Sequence, residues 1–113
     1  ILYRDARLVA CAKPAGLLVH RTALARDASD FAVQRLHRQL GRPVYPCHRL
    51  DRGTSGVLLF ALDLDALRHL GEAFESRRVD KRYVAVVRGW PAEAGLVDHP
   101  LSRLDGGPSC AVT

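Results

Sequence analysis

The sequence predicts an α+β domain with a mixed, largely antiparallel sheet and flanking helices. Short apolar extended segments and two stretches with helical spacing follow one another in the order strands, helix, strand, helix, strand. Most of the connections are too short for regular parallel crossovers, which disfavours a doubly wound sheet. A chain of 113 residues is one domain at most, since the share of surface that folding buries shrinks as the chain gets shorter. Its apolar content of 48% and charged content of 26% match those of globular proteins. No apolar run approaches the ~20 residues that span a bilayer, and no signal peptide is visible.

Ile1 to Arg4 and Leu8 to Ala12 read as strands on either side of the charged turn Asp5-Ala6-Arg7. Pro14-Ala15-Gly16 bends the chain before Leu17-Leu18-Val19, and the polar stretch from His20 to Ser29 reads as a loop. Asp27 and Ser29 are candidate N-caps for a helix whose apolar face is Ala32, Val33, Leu36 and Leu40, ended by Gly41-Arg42-Pro43. Val44 to Cys47 is extended, and Val57 to Ala61 has the length and flanks of a buried strand. Asp63 or Asp65 caps a second helix carrying Leu64, Leu67, Leu70 and Phe74. From Val79 to Arg88 the side chains alternate, with Val79, Lys81, Tyr83, Ala85 and Val87 on one face, which predicts a further strand. Gly89-Trp90-Pro91 turns the chain, and beyond Val97 the pattern fades.

The net charge of +5 suits a polyanionic partner, but 15 of the 17 basic residues are arginine and asparagine is absent, as GC-rich coding would produce. Particular arginines therefore carry more weight than the total. Cys11, Cys47 and Cys110 lack C-x-x-C spacing, which argues against a disulfide framework or a zinc site and fits a reducing cytoplasm. The five histidines show no ligand spacing. The segment His48–Gly56 stands apart because it is polar and turn-rich between two apolar extended pieces. Arg49 and Arg52 flank Asp51 there, and nearby cations favour an ionised carboxylate, which can act as a nucleophile. Thr54 and Ser55 are placed to bond to the backbone of the turn, and Gly53 and Gly56 tolerate unusual dihedrals. An ion-paired structural turn accounts for the same residues, and residue chemistry alone favours it.

Three ordered motifs reverse that balance. His48-Arg49-Leu50-Asp51-Arg52-Gly53-Thr54-Ser55-Gly56 resembles the H-R-L-D-x-x-T-S-G signature of the RluA-type pseudouridine synthases. Leu8 to His20 is similar to that family's opening strand and N-K-P-x-G-x-x-V-H loop, and Lys81 to Gly89 to its K-x-Y-x-A-x-V-x-G strand. The resemblance implies the pseudouridine synthase catalytic fold and conversion of uridine to pseudouridine in RNA, without cofactor or metal. It implies that Asp51 is the nucleophile, that Arg49 fills the stack vacated by a flipped base, and that Tyr83 stacks under the uracil and is a candidate for proton transfer. Arg52 and Lys81 are candidate phosphate contacts, while His48, Thr54, Ser55 and Gly56 shape the turn. Lys13 is expected to position backbone. Ala12 stands where the family's motif has Asn, a departure expected to cost loop stability more than chemistry.

The strings Ile1–Asp5, Leu17–Arg21 and Val87–Trp90 most resemble the family's tRNA-acting branch, so tRNA is favoured over ribosomal RNA as partner, with no membrane or obligate protein partner. A ribosomal large-subunit RNA enzyme and a non-catalytic RNA-binding fragment remain alternatives. A glycoside-cleaving enzyme would need a second carboxylate, and none stands out. The family's later basic segment, whose arginine pairs with the nucleophile, has no match. Residues 1–113 are therefore expected to be the N-terminal portion of the catalytic domain, lacking its C-terminal half and inactive alone.

Overall fold

The structure, a computed structural model, describes residues 1–21 and 29–99. Strands β1 (Tyr3–Arg4), β2 (Leu8–Lys13), β3 (Tyr45–Pro46) and β4 (Gly56–Ala61) form one sheet in the order β1-β2-β4-β3. Helices α1 (Ala32–Leu40) and α2 (Leu64–Glu75) complete the α+β unit, which extends from Ile1 to Lys81. Among the described residues every strand pair is antiparallel, and the parallel component is one isolated bridge between Leu18 and Phe31.

The long pair β2–β4 is the spine, with Val9 opposite Phe60 and Cys11 opposite Leu58 on one face. Val9, Leu58 and Phe60 are at most 1% exposed, and they join Val19, Ala32, Leu36, Val44, Leu50 and Leu62 in the core. Ala32 and Leu36 recur at helical spacing, so α1 lays one apolar stripe into that cluster. The other helix, α2, packs against β3 and β4. Asp5 shapes the β1–β2 turn by accepting the Arg7 and Leu8 N–H groups at 2.7 and 2.8 Å.

The two helices start differently. Asp63 caps α2 as its sequence predicts, accepting the Ala66 N–H at 2.7 Å, and Arg7 pairs with both Asp63 and Asp65. Of the expected caps of α1, Asp27 lies outside the described residues and Ser29 does not take the cap position, which is Phe31 and makes no side-chain bond. Backbone carbonyls take over there, with Ala32 N–H on Leu18 at 2.8 Å and Val33 N–H on Val19 at 3.1 Å. At its other end α1 stops at Gly41, whose φ of 66° is left-handed, as Gly41-Arg42-Pro43 predicts. Helix α2 also stops at a left-handed residue, here Arg77 at φ 55°, with Arg77 N–H on Phe74 at 3.2 Å and Arg78 N–H on Ala73 at 2.9 Å.

The strand expected over Val79–Arg88 does not form. The described residues from 79 to 99 contain no helix or strand, and Val84 and Val86 are fully exposed. Alternation makes a strand only where a neighbour accepts its ladder of hydrogen bonds, and among the described residues none does. Residues from Arg82 onward belong to a second unit.

The packing predicts sharply one-sided sensitivity in β4. Leu58→Ala should lower the unfolding free energy by about 2–5 kcal/mol, while Val57→Ala, at a side chain 56% exposed, should change it by about 0.5 kcal/mol or less. Denaturant melts of both variants check this, and equal losses would contradict the assigned faces.

Candidate active site

The β2–β4 register sets Lys13 opposite Gly56, so the loop leaving β2 and the loop entering β4 meet at one end of the sheet. The first loop is the Lys-Pro-x-Gly turn, whose Gly16 has a φ of 87°, and the second is the His48–Gly56 segment, whose Gly56 has a φ of 131°. Both angles lie where an L side chain is strained, which accounts for glycine at each place.

Lys13 joins the two loops. Its side chain is buried, with the residue only 3% exposed, and its ammonium donates to the carbonyls of Leu17 at 2.6 Å, Pro14 at 3.0 Å and Arg52 at 3.4 Å. Burial pushes its pKa below the ordinary lysine value, while the negative charge of Asp51 works in the opposite direction. Gly16 and Arg52 add a reciprocal latch: Gly16 N–H donates to the Arg52 carbonyl at 2.7 Å, and Arg52 Nε donates to the Gly16 carbonyl at 3.1 Å.

Within the second loop, Leu50 is buried in the core cluster, and its neighbours Arg49 and Asp51 are exposed. A tight turn closed by Thr54 N–H on the Asp51 carbonyl, at 3.0 Å, follows. The carboxylate of Asp51 is thus presented to solvent from a backbone anchored on both sides. Among the described residues neither Arg49 nor Arg52 forms an ion pair with it. The hydroxyls of Thr54 and Ser55, expected to stiffen the turn, make no hydrogen bond among the described residues, and backbone contacts stiffen it instead.

His48 is held from two sides. Its Nε2 accepts the Leu59 N–H at 3.1 Å, so the ring proton sits on Nδ1, and the ring stacks on Phe74 of α2 at 4.8 Å. Burial lowers its pKa, a backbone hydrogen bond at Arg49 opposes the shift, and the charge of Lys81 adds to it. The accepted strand N–H and the stack on Phe74 fix the ring between β4 and α2. Its partner is β4, not the turn that the sequence suggested. The charge of Lys81 acts on His48. Tyr83 lies in the second unit and is exposed.

The sequence singled out Asp51 and its neighbours but understated Lys13 and gave Phe74 only as part of a helix's apolar spacing. A lysine directly before Pro-x-Gly at the end of an apolar strand was the available signal for the first. Cys11 and Cys47 are free thiols, and burial raises the pKa of both. Among the described residues no cluster of three or more His, Cys, Asp or Glu could hold a metal, and no helix is long and apolar enough to cross a membrane.

Residues 7–111 match the model of the RNA pseudouridylate synthase family, and the chain belongs to that family. It is 54% identical over 101 residues to the tRNA pseudouridine synthase C of Haemophilus ducreyi, an alignment covering 89% of this chain and 42% of that protein. The proteins of the same name from Vibrio cholerae and Salmonella typhi are 48% and 45% identical, over 91% and 100% of this chain and 42% and 48% of theirs. The chain therefore spans less than half the length of these curated relatives. A solved structure, Human RNA Pseudouridylate Synthase Domain Containing 4, superposes with a TM-score of 0.52 at 37% identity, covering 69% of this chain and 30% of that one.

The lowered pKa of His48 gives a pH prediction. The folded state favours the neutral ring, so its contribution to stability is complete above the unfolded value of about 6.5 and is lost as pH falls from there toward the lower folded value. The drop in melting temperature between about pH 7 and pH 5.5 should therefore be smaller in His48→Gln than in the wild type. Equal drops would assign the titration to other groups.

Proposed function

We propose that this chain forms the N-terminal portion of a pseudouridine synthase catalytic domain that isomerises a specific uridine in RNA, with tRNA as the substrate and the cytoplasm as its place of work. The observation that carries the reading is the exposed Asp51 carboxylate, flanked by buried Leu50 and the latched Arg52 backbone, in a loop with the family's signature. The names of the relatives, tRNA pseudouridine synthase C, support the choice of tRNA.

In the proposed reaction a carboxylate oxygen of Asp51 bonds to the ribose anomeric carbon as the bond to uracil N1 breaks, much as in retaining glycosidases. The detached uracil turns, its C5 bonds to the same carbon as the carboxylate leaves, and the proton on C5 is lost while N1 gains one. Tyr83 supplies the surface under the uracil and is the candidate for that proton transfer. A base inside a helical RNA must leave its stack first, and the planar guanidinium of Arg49, exposed two residues before Asp51, takes the vacated place. Lys81, whose charge acts on His48, serves as a phosphate contact.

In the full-length protein, Asp51→Ala should abolish pseudouridine formation in tRNA while leaving tRNA binding largely intact. Turnover above background would remove Asp51 from the nucleophile role. Arg49→Ala should slow modification of structured tRNA more than that of a short RNA whose uridine is already unstacked, and equal losses on the two substrates would exclude its role in flipping.

A further inference from the structure

We propose that the turn closing α2, with Arg77 and Arg78 at its tip, is a contact surface for the sugar–phosphate backbone of RNA beside the Asp51 loop. The proposal rests on the reading of RNA as substrate and extends it to residues outside the family's signature.

The first observation is a conformation. Arg77 sits at φ 55° in the left-handed position of the helix-ending turn, where glycine is favoured because a Cβ crowds the neighbouring carbonyl. The same chain puts glycine at the corresponding position after α1, where Gly41 has a φ of 66°. One helix end thus follows the steric rule and the other departs from it. Arg77 is exposed, and among the described residues its guanidinium makes no hydrogen bond or ion pair. Residues held in sparsely populated backbone regions concentrate at functional sites, where selection on function offsets the strain.

The second observation is the arrangement around it. Arg78 is also exposed, and its Nε donates to Ser76 Oγ at 2.8 Å, while that hydroxyl donates to the Glu72 carbonyl at 2.6 Å. The guanidinium is therefore held in place before any ligand arrives. Phe74, three residues before Arg77, stacks on His48, which tethers the turn to the segment carrying Arg49 and Asp51. The charge of Lys81 also reaches His48. A planar guanidinium matches two phosphate oxygens at once, so an exposed arginine pair, with Arg78 preorganised, on a turn tethered to the Asp51 loop suits a polyanionic backbone.

A cation near a helix C-terminus also complements the helix dipole, which offers a competing explanation with the opposite stability sign. Arg77→Gly and Arg77→Asn in the full-length protein separate the two, read by thermal unfolding and by tRNA affinity across a salt series. The contact surface predicts a melting temperature raised by about 2–4 °C in the glycine variant. It also predicts severalfold weaker tRNA binding in both variants, and a log affinity against log salt slope shallower by roughly one phosphate contact, about 0.7–0.9. Arg77→Lys should keep most of that slope. Unchanged affinity and slope in the glycine and asparagine variants would overturn the proposal, as would a lowered melting temperature in both. A wild-type protein without salt-dependent tRNA binding would defeat the RNA reading itself, an outcome distinguishable without any variant.

Discussion

Burying a lysine is costly unless its charge is met, and Lys13 is met by three backbone carbonyls drawn from two loops. The placement of the candidate nucleophile depends on this one contact set. The ammonium sits at the last residue of β2, opposite Gly56 at the first residue of β4, so it bridges the point where both loops leave the sheet. Two of its acceptors belong to the turn after β2, and the third is the carbonyl of the residue immediately after Asp51. The Gly16–Arg52 latch doubles the connection with neutral and charged hydrogen bonds. With Leu50 in the core on the other side, the backbone of Asp51 has little freedom although its side chain is exposed. That combination suits a nucleophile, which must meet substrate without paying for loop ordering at the moment of reaction.

Much of this was legible in the sequence where local rules governed. Asp63 capped its helix, Gly41 ended the other, and the apolar run Val57–Ala61 became the central strand because each outcome depends on neighbours in sequence. Where pattern and structure part, the cause lies in contacts that sequence neighbours do not reveal. The N–H groups at the start of α1 are met by carbonyls of Leu18 and Val19, so Ser29 was not needed as a cap. The alternation from Val79 to Arg88 is plain, yet a strand needs a ladder partner as well as a pattern.

The site was legible in a different way. Residue types marked His48–Gly56 as unusual but favoured an ion-paired turn, and only the resemblance of three motifs tipped the reading toward catalysis. The structure removes the main support for the ion-paired turn, since Arg52 donates to the Gly16 carbonyl and neither flanking arginine pairs with Asp51 among the described residues. The arginines of this chain fall into distinct roles. Arg7 pairs with Asp63 and Asp65, Arg42 donates to the Leu62 carbonyl at 2.7 Å, and Arg52 latches two loops. Net charge would have counted all of them alike. Geometry separates those that hold the fold from those left to face a partner.

Amide hydrogen exchange on Lys13→Met in the full-length protein tests the central dependence most directly. The clamp predicts that the amides of Gly16 and Thr54 lose protection together while those of β2 and β4 stay protected, because the loops loosen and the sheet does not. Unchanged protection at Gly16 and Thr54, or a loss spread evenly through the sheet, would contradict the claim that the buried ammonium holds the Asp51 loop in place.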